Sequence, residues 1–149
     1  MQLKDLCTPD VISCDPDSSV LHAARLMRQH HVGDVVVVED TETDSSPIGM
    51  VTDRDIVVEV LGKELDPAKV TLREIMRTPA VIASASEDVA QAVARMKAHG
   101  VRRIPVVDET SRLAGILCLD DLLKRLAADA ATLADVITRE QDREHRTRR

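Results

Sequence analysis

The hydrophobic positions of this chain predict the same first helix in each of its two halves. Apolar residues at the i, i+3, i+4, i+7 spacing of an amphipathic helix occur at Val20, Ala23, Ala24 and Met27, and again at Val89, Val93 and Met96. Ser19 and Ser86 precede these stretches as candidate N-caps. His31 and Gly100 follow them as candidate helix ends.

Two short apolar strands and a further helix follow each of these predicted helices. The strands are predicted at residues 35–38, 48–51, 104–107 and 113–117, which are rich in Val, Ile and Leu. The further helices are predicted to open at Asp53 and Asp120, and Gly62 is predicted to end the first of them. With a short opening strand, each half reads as a β-α-β-β-α unit.

The sequences of the two halves align as an internal repeat. LKDLCTPDVI at residues 3–12 matches LREIMRTPAVI at residues 72–82, with a one-residue indel placed before Thr8 and Thr78. PIGMVTDRDIV at residues 47–57 matches LAGILCLDDLL at residues 113–123. We predict repeat 1 at residues 1–65, repeat 2 at residues 66–127, and a C-terminal helical extension with a charged tail at residues 128–149.

A single repeat of this size would bury too little surface to be stable alone. We therefore predict an α/β fold in which the two repeats pack with pseudo-twofold symmetry and leave clefts between them, where small ligands usually bind. Between the repeats, Thr71 and Glu74 have the spacing of a capping box for a short helix. The C-terminal extension is predicted to be helical to about Ile137, and its tail to be a fraying helix or a solvated segment. Packing of this extension on a partner is the alternative, supported by Leu126, Leu133, Val136 and Ile137.

Composition argues against a nucleic-acid binder. The 149 residues include no Phe, Tyr or Trp, and the formal net charge is −6. Single-strand binding surfaces stack bases on aromatic rings, and phosphate-backbone binders need a basic face. No apolar run is long enough to span a membrane, and the N-terminus lacks a signal core. We therefore expect a soluble, cytoplasmic protein.

The cysteines suggest neither a disulfide framework nor a metal site. Cys7, Cys14 and Cys118 form no CxxC pair and have no histidine at zinc-finger spacing. A bridge between Cys7 and Cys14 stays open at this point.

The doubled pattern resembles the cystathionine beta-synthase (CBS) domain, arranged as a stand-alone pair. The resemblance rests on G-x-[VIL]-[ST]-x-x-D at Gly49, Val51, Thr52 and Asp55, on TPAVI at residues 78–82 and on RRIPVVD at residues 102–108. It implies a regulatory, non-enzymatic module that binds an adenine nucleotide or adenosyl ligand (AMP, ADP, ATP or S-adenosylmethionine) and has no prosthetic group. It also implies a homodimer that acts through an unknown protein partner.

The resemblance places a first ligand cleft between the ribose motif of repeat 1 and two strands of repeat 2. An acceptor-only carboxylate suits the paired hydroxyls of a ribose, and arginine forks suit phosphates. Apolar side chains such as Ile48 and Met50 are expected to hold the adenine. The predicted residues of this cleft are Thr52, Arg54, Asp55, Thr78, Val81, Ile82, Arg102, Arg103, Ile104 and Pro105.

The same logic places a second cleft on the other side of the pseudo-axis. Its residues are Thr8, Val11, Ile12, Asp34, Val35, Cys118 and Asp121. Here Gly33 and Asp34 replace the two arginines, and Cys118 replaces the hydroxyl residue. Because Asp34 would repel a phosphate, a neutral adenosyl group or an empty site is expected.

Several of these residues also have simpler interpretations. Thr52 and Asp53 could only cap the following helix, and His30, His31 and His99 suit helix C-termini. One loop is acidic, and we interpret it as a solvent-exposed loop rather than a cation site. Its acidic residues are Glu39, Asp40, Glu42 and Asp44. The competing function is a structural or stress-response interaction protein with vestigial clefts, while no catalytic constellation supports an enzyme.

Overall fold

The structure is a computed structural model that describes residues 1–42 and 45–148. Two β-α-β-β-α units follow one another, as the sequence predicts. The elements of the first are β1 (Ser13–Cys14), α1 (Val20–His30), β2 (Asp34–Val38), β3 (Pro47–Thr52) and α2 (Asp53–Ile56), which continues as a π-helical turn (Val57–Leu61). A short α3 (Leu72–Ile75) lies between the units. The elements of the second are β4 (Ala83–Ser84), α4 (Val89–His99), β5 (Arg103–Val107), β6 (Leu113–Cys118) and α5 (Leu119–Thr147).

Each unit contains one three-stranded sheet, in the order β1-β2-β3 or β4-β5-β6. The opening strand of each sheet runs parallel to the next, with Cys14 beside Val37 and Ala83 beside Val106. β2 and β3 are antiparallel, so that the start of β2 lies beside the end of β3, where Asp34 pairs with Thr52. The carboxyl end of β3 and the start of α2 are thereby placed next to the loop that follows α1.

The hydrophobic core is built from the apolar faces that the sequence pattern marks. Val20, Ala23 and Met27 of α1 are buried against Val35 and Val37 of β2. Ser19 accepts a hydrogen bond from the His22 amide as the N-cap, and His31 ends the helix in the left-handed conformation at φ 53°. α1 is therefore capped at both ends as predicted.

The segments that precede the two units are exchanged between them. Leu3, in a short 3-10 turn, donates its amide to Glu87, and Leu72 donates its amide to Ser18, both at 3.0 Å. Leu72 is a member of the core of the first unit. Each segment therefore completes the opposite unit. The two hydrogen bonds are equivalent, since Leu3 and Leu72 are 69 residues apart and so are Ser18 and Glu87.

Further along the same segments, Thr8 forms a bridge with Ile116 and Arg77 forms a bridge with Met50. A Cβ atom on Gly49 would lie 2.9 Å from the Arg77 carbonyl oxygen, and one on Gly115 would lie 2.9 Å from the Thr8 carbonyl oxygen. Glycine is required at both positions because the exchanged backbone passes too close for any side chain.

This geometry corrects the indel in the sequence alignment. Arg77, and not Thr78, occupies the position equivalent to Thr8, since both residues form the same bridge 69 residues apart. The sequence alignment matched the Thr-Pro dipeptides at residues 8–9 and 78–79. The backbone bridges show that these dipeptides are one residue away from equivalent positions.

Two details of the second helix prediction are also wrong. The N-cap of α4 is Asp88, which forms a capping box with Gln91, whereas Ser86 instead bonds to the Ser84 hydroxyl. Val93 is exposed and Ala92 is the buried residue of that turn. The acidic Asp88 is as good an N-cap as serine, so the helix begins two residues later than a cap at Ser86 would place it. The capping box at Thr71 and Glu74 is confirmed.

By compactness the chain divides into residues 1–117 and residues 118–149. This division differs from that of the two repeats. Helix α5 of the second unit begins at Leu119 and continues to Thr147, without a break near Ile137. None of its residues is buried. The charged tail is thus helical rather than irregular through Thr147. Within the described ranges, no helix combines the length and the apolar character needed to cross a membrane.

Candidate functional site

A cavity of about 330 Å³ opens where both repeats and the exchanged segment meet. β3 and α2 contribute the wall from repeat 1, the loop between α4 and β5 contributes the wall from repeat 2, and the segment after α3 contributes one side chain. Four guanidinium groups and one carboxylate line this space. The lining residues are Met50, Thr52, Asp53, Arg54, Arg77, Gly100, Val101, Arg102 and Arg103.

Thr52 and Asp55 form a reciprocal capping box at the start of α2. The Asp55 amide donates to Thr52 Oγ1 at 3.1 Å, and the Thr52 amide donates to Asp55 Oδ2 at 2.9 Å. The capping interpretation of Thr52 is therefore confirmed. Asp55 is buried, at 7% exposure, and it is not among the residues that line the cavity.

Arg77 is a residue of the cavity that sequence reasoning missed. Its Nε donates to Asp55 Oδ1 at 3.3 Å, and its side chain is 64% exposed while that of Asp55 is 9% exposed. The misplaced indel hid this arginine, because it aligned Thr8 with Thr78. A consistent 69-residue offset along residues 3–14 would have revealed it.

A second ion pair joins the two repeats beside the cavity. Arg103 Nε lies 3.5 Å from Asp34 Oδ1, and these residues begin β5 and β2 at equivalent positions of the two repeats. Burial raises the pKa of the Asp34 carboxyl, the Arg103 charge opposes that rise, and the Asp53 charge adds to it. Asp34 was expected in the second cleft and Arg103 in the first, but the structure pairs them with each other.

The remaining residues predicted for the first cleft lie outside the cavity lining. Thr78 donates its hydroxyl to the Ile48 carbonyl oxygen at 3.1 Å. The Ile82 carbonyl oxygen accepts from Arg95 Nη1 at 2.7 Å. Ile104 and Pro105 are buried in β5, and Val81 is half-buried. The structure thus gathers Thr52, Arg54, Arg102 and Arg103 around one space. Of the apolar side chains expected to hold the adenine, Met50 lines this space and Ile48 does not.

The residues predicted for the second cleft are divided between the two compact units. Thr8 pairs through its backbone with β6, the Ile12 carbonyl oxygen accepts from the Val36 amide, and Val35 is buried. Val11 lines a separate cavity of about 310 Å³ together with Asp40 and Arg112. Cys118 and Asp121 belong to the C-terminal unit, where Asp121 lies 3.9 Å from Lys124. The second cleft stays a prediction.

Other candidate groups take structural roles. Glu39 pairs with Arg73 at 3.1 Å, and Asp40 accepts from the Ser45 hydroxyl at 2.6 Å. Glu42 is exposed, and Asp44 lies outside the described residues. No cluster of three potential metal ligands occurs among residues 1–42 and 45–148.

Two histidines at helix ends and two cysteines have ordinary roles. His30 and His99 lie in the last turns of α1 and α4, where a cation interacts favourably with the helix dipole. Cys7 and Cys14 are free thiols, so the bridge left open by the sequence is not formed. Burial raises the pKa of both thiols, which keeps them protonated.

The arrangement around the cavity is suited to holding an anionic ligand. Guanidinium groups donate charge-assisted hydrogen bonds to phosphate or carboxylate oxygens, and a volume of this size lies at the lower end of the range for small-molecule sites. Thr52 adds a hydroxyl and Met50 adds an apolar contact. The set contains no nucleophile paired with a base.

Comparison with known proteins identifies relatives of the whole repeat pair. An uncharacterized protein of Methanopyrus kandleri, MK0525, is 33% identical over 133 residues, which are 89% of this chain and 66% of that protein. Hypoxic response protein 1 of Mycobacterium tuberculosis is 32% identical over 127 residues, 85% of this chain and 86% of that protein.

A solved structure agrees in fold along nearly the same span. The crystal structure of the CBS domain pair of protein MJ0100, in complex with 5′-methylthioadenosine and S-adenosyl-L-methionine, has a TM-score of 0.72 and 25% identity. The likeness covers 85% of this chain and 99% of that chain. The CBS domain model matches twice, at residues 3–62 and 72–128, and the chain belongs to the CBS domain family.

Proposed function

We propose that this protein is a cytoplasmic regulatory module that binds an adenine nucleotide of the AMP or ATP class between its two repeats. The observation that carries the proposal is the cavity itself, since residues from both repeats supply its four arginines and its hydroxyl. A ligand that touches both repeats stabilises one relative arrangement of them. Such a ligand regulates only through a difference in affinity between two arrangements.

The adenosyl class is supported by chemistry and by relatives. Asp55 offers a buried carboxylate in contact with the cavity residue Arg77, and a ribose diol supplies donors to such a carboxylate. A CBS domain pair with 25% identity was crystallised with two adenosyl compounds. Stand-alone pairs of this family are generally regulatory, which favours a sensor over an enzyme.

The test is calorimetric titration of the chain with AMP, ATP and S-adenosylmethionine. We expect one nucleotide per chain, and Asp55→Asn to weaken its binding by about tenfold or more, because a hydrogen bond to a charged group is lost. Asparagine keeps an acceptor for the Thr52 amide, so the helix cap is retained. The matched control is Glu74→Gln, which alters the capping box at Thr71 without changing a residue of the cavity lining and should leave binding unchanged.

A second function has one observation in its favour. Both carboxylate oxygens of Asp55 already accept hydrogen bonds within the chain, as expected if the cleft is vestigial and the protein works only through its surfaces. Absence of binding at millimolar nucleotide, or equal binding of the 2′-deoxy nucleotide, would favour this interaction protein.

We further propose that the protein forms a homodimer through α5. Apolar residues recur on this helix at alternating steps of three and four, the spacing of a coiled-coil seam. They are Leu119, Leu123, Leu126, Ala130, Leu133 and Ile137. Leu126 and Leu133 are 66% and 69% exposed, and a second copy of the same seam would cover them. An additional protein partner would then bind one arrangement of the dimer in preference to the other.

A further inference from the structure

The contact between Arg77 and Asp55 places a cation of the protein where a ligand donor would bind. Arg77 lines the cavity, whereas Asp55 is almost fully covered and does not. The guanidinium donates from Nε to Oδ1, while the other carboxylate oxygen is held by the Thr52 amide. Oδ1 is therefore the oxygen whose partner is an exposed side chain rather than the backbone, and a ribose hydroxyl that bonds to Oδ1 takes the place of Arg77.

The backbone of Arg77 is held by hydrogen bonds, whereas its side chain is held by one exposed ion pair. Met50 and Arg77 exchange two hydrogen bonds, with N–O distances of 3.2 and 3.0 Å. The side chain itself is mostly exposed, and exposed ion pairs contribute little to stability. A displaced guanidinium therefore stays at the cavity edge, beside Arg54, Arg102 and Arg103.

The equivalent position in repeat 1 lacks this device. Thr8 makes the same backbone bridge to β6 that Arg77 makes to β3, but a threonine side chain cannot form an ion pair. The arginine is thus a feature of one cleft and not a requirement of the exchanged backbone.

Building on the proposed function, we propose that Arg77 is an internal gate on Asp55 that selects an adenosine ligand carrying a phosphate over neutral adenosine. Every adenosine ligand must break the ion pair to reach the carboxylate. Only a ligand with a phosphate compensates for the broken ion pair, because the displaced guanidinium then donates hydrogen bonds to the phosphate oxygens. A positively charged sulfonium ligand gains nothing from the released cation.

The experiment is titration of AMP and adenosine, which differ only in the phosphate, into the unmodified chain and Arg77→Ala. Removal of the gate should tighten adenosine binding by about fivefold, the equivalent of an exposed ion pair. AMP binding should weaken by about tenfold, as expected for a lost charged hydrogen bond. The ratio of the two affinities therefore falls by more than an order of magnitude.

The control is Arg73→Ala, which removes an arginine of the same segment that pairs with Asp17 and Glu39 outside the cavity. It should leave both affinities unchanged, and circular dichroism melts should show that both variants are folded. Tighter adenosine binding to Arg77→Ala supports the gate even if the unmodified chain binds adenosine too weakly to measure.

The failures of the two proposals differ. Equal weakening of AMP and adenosine in Arg77→Ala would overturn the gate while leaving nucleotide binding intact. Tighter binding of both ligands would overturn the phosphate selectivity. If neither protein binds either ligand, the proposed function fails and the gate fails with it.

Discussion

At the scale of single residues, two glycines are needed for the exchange of segments between the repeats. Gly49 and Gly115 are equivalent positions of β3 and β6, and each lies against a carbonyl oxygen of the segment that precedes the opposite repeat. The glycine of the G-x-[VIL]-[ST]-x-x-D motif is therefore needed for the backbone bridge and not for a ligand. Of the four fixed positions of that motif, Thr52 lines the cavity and Asp55 contacts the cavity residue Arg77.

Substitution of these glycines should destabilise the protein. Gly49→Ala and Gly115→Ala each force a methyl group against a carbonyl oxygen at 2.9 Å, and overpacking of this kind costs about 1–3 kcal/mol. The measurement is urea unfolding followed by circular dichroism.

The matched substitution is Gly33→Ala, whose Cβ would meet the Asp53 carboxylate at 3.2 Å. That side chain is exposed and can move, so we expect a smaller loss of unfolding free energy. An equal loss at all three glycines would show that the close backbone approach is not what makes glycine necessary.

At the scale of elements, the starts of β2 and β5 face each other across the pseudo-axis. Equivalent positions of identical repeats would carry like charges, whereas this chain has Asp34 in one repeat and Arg103 in the other. The divergence of the repeats thus converts a repulsion into an ion pair. It also leaves a carboxylate largely buried.

The free energy of unfolding should depend on pH through the ionisation of Asp34. Its pKa is raised by burial in the folded state, so the folded form disfavours the ionised carboxylate. This group stabilises the fold below its ordinary pKa of 3.8, and that contribution is lost as the pH rises through the raised pKa. Asp34→Asn should therefore gain in melting temperature relative to the unmodified chain as the pH is raised across that window.

The control for this comparison is Asp10→Asn, which removes an exposed carboxylate and should show no such trend. A melting-temperature difference that shrinks with rising pH would mean that the Arg103 charge outweighs burial. Thermal melts at a series of pH values distinguish the two cases.

At the scale of the whole molecule, two chains are expected to associate along α5. Leu126→Glu combined with Leu133→Glu places charges in the proposed seam. We expect the mass from light scattering to fall from twice the 16.4 kDa of the chain to the monomer value, since buried unpaired charges are strongly unfavourable.

The control is Ala131→Glu, a residue that the seven-residue spacing places away from the seam. It should leave the dimer intact. A monomeric unmodified chain, or a dimer that persists in the double variant, would contradict an interface on this helix.

The sequence by itself determined the repeat, the elements and most of their caps. The stripe of α1, the N-cap at Thr52, the capping box at Thr71 and the ends at His31 and Gly100 all depend on residues within about two helical turns. Propensity and capping act over such short distances. They can therefore be read from the chain without knowing how it folds.

Only the tertiary structure decided which charges pair beside the cavity. Asp55 and Arg77 are 22 residues apart, and Asp34 and Arg103 begin strands of different repeats. No local pattern specifies these pairs, because their members are far apart along the chain and meet only once it has folded. The exchange of segments between the repeats placed Arg77 where Thr78 was expected, since backbone hydrogen bonds set the register and the similarity of the Thr-Pro dipeptides does not.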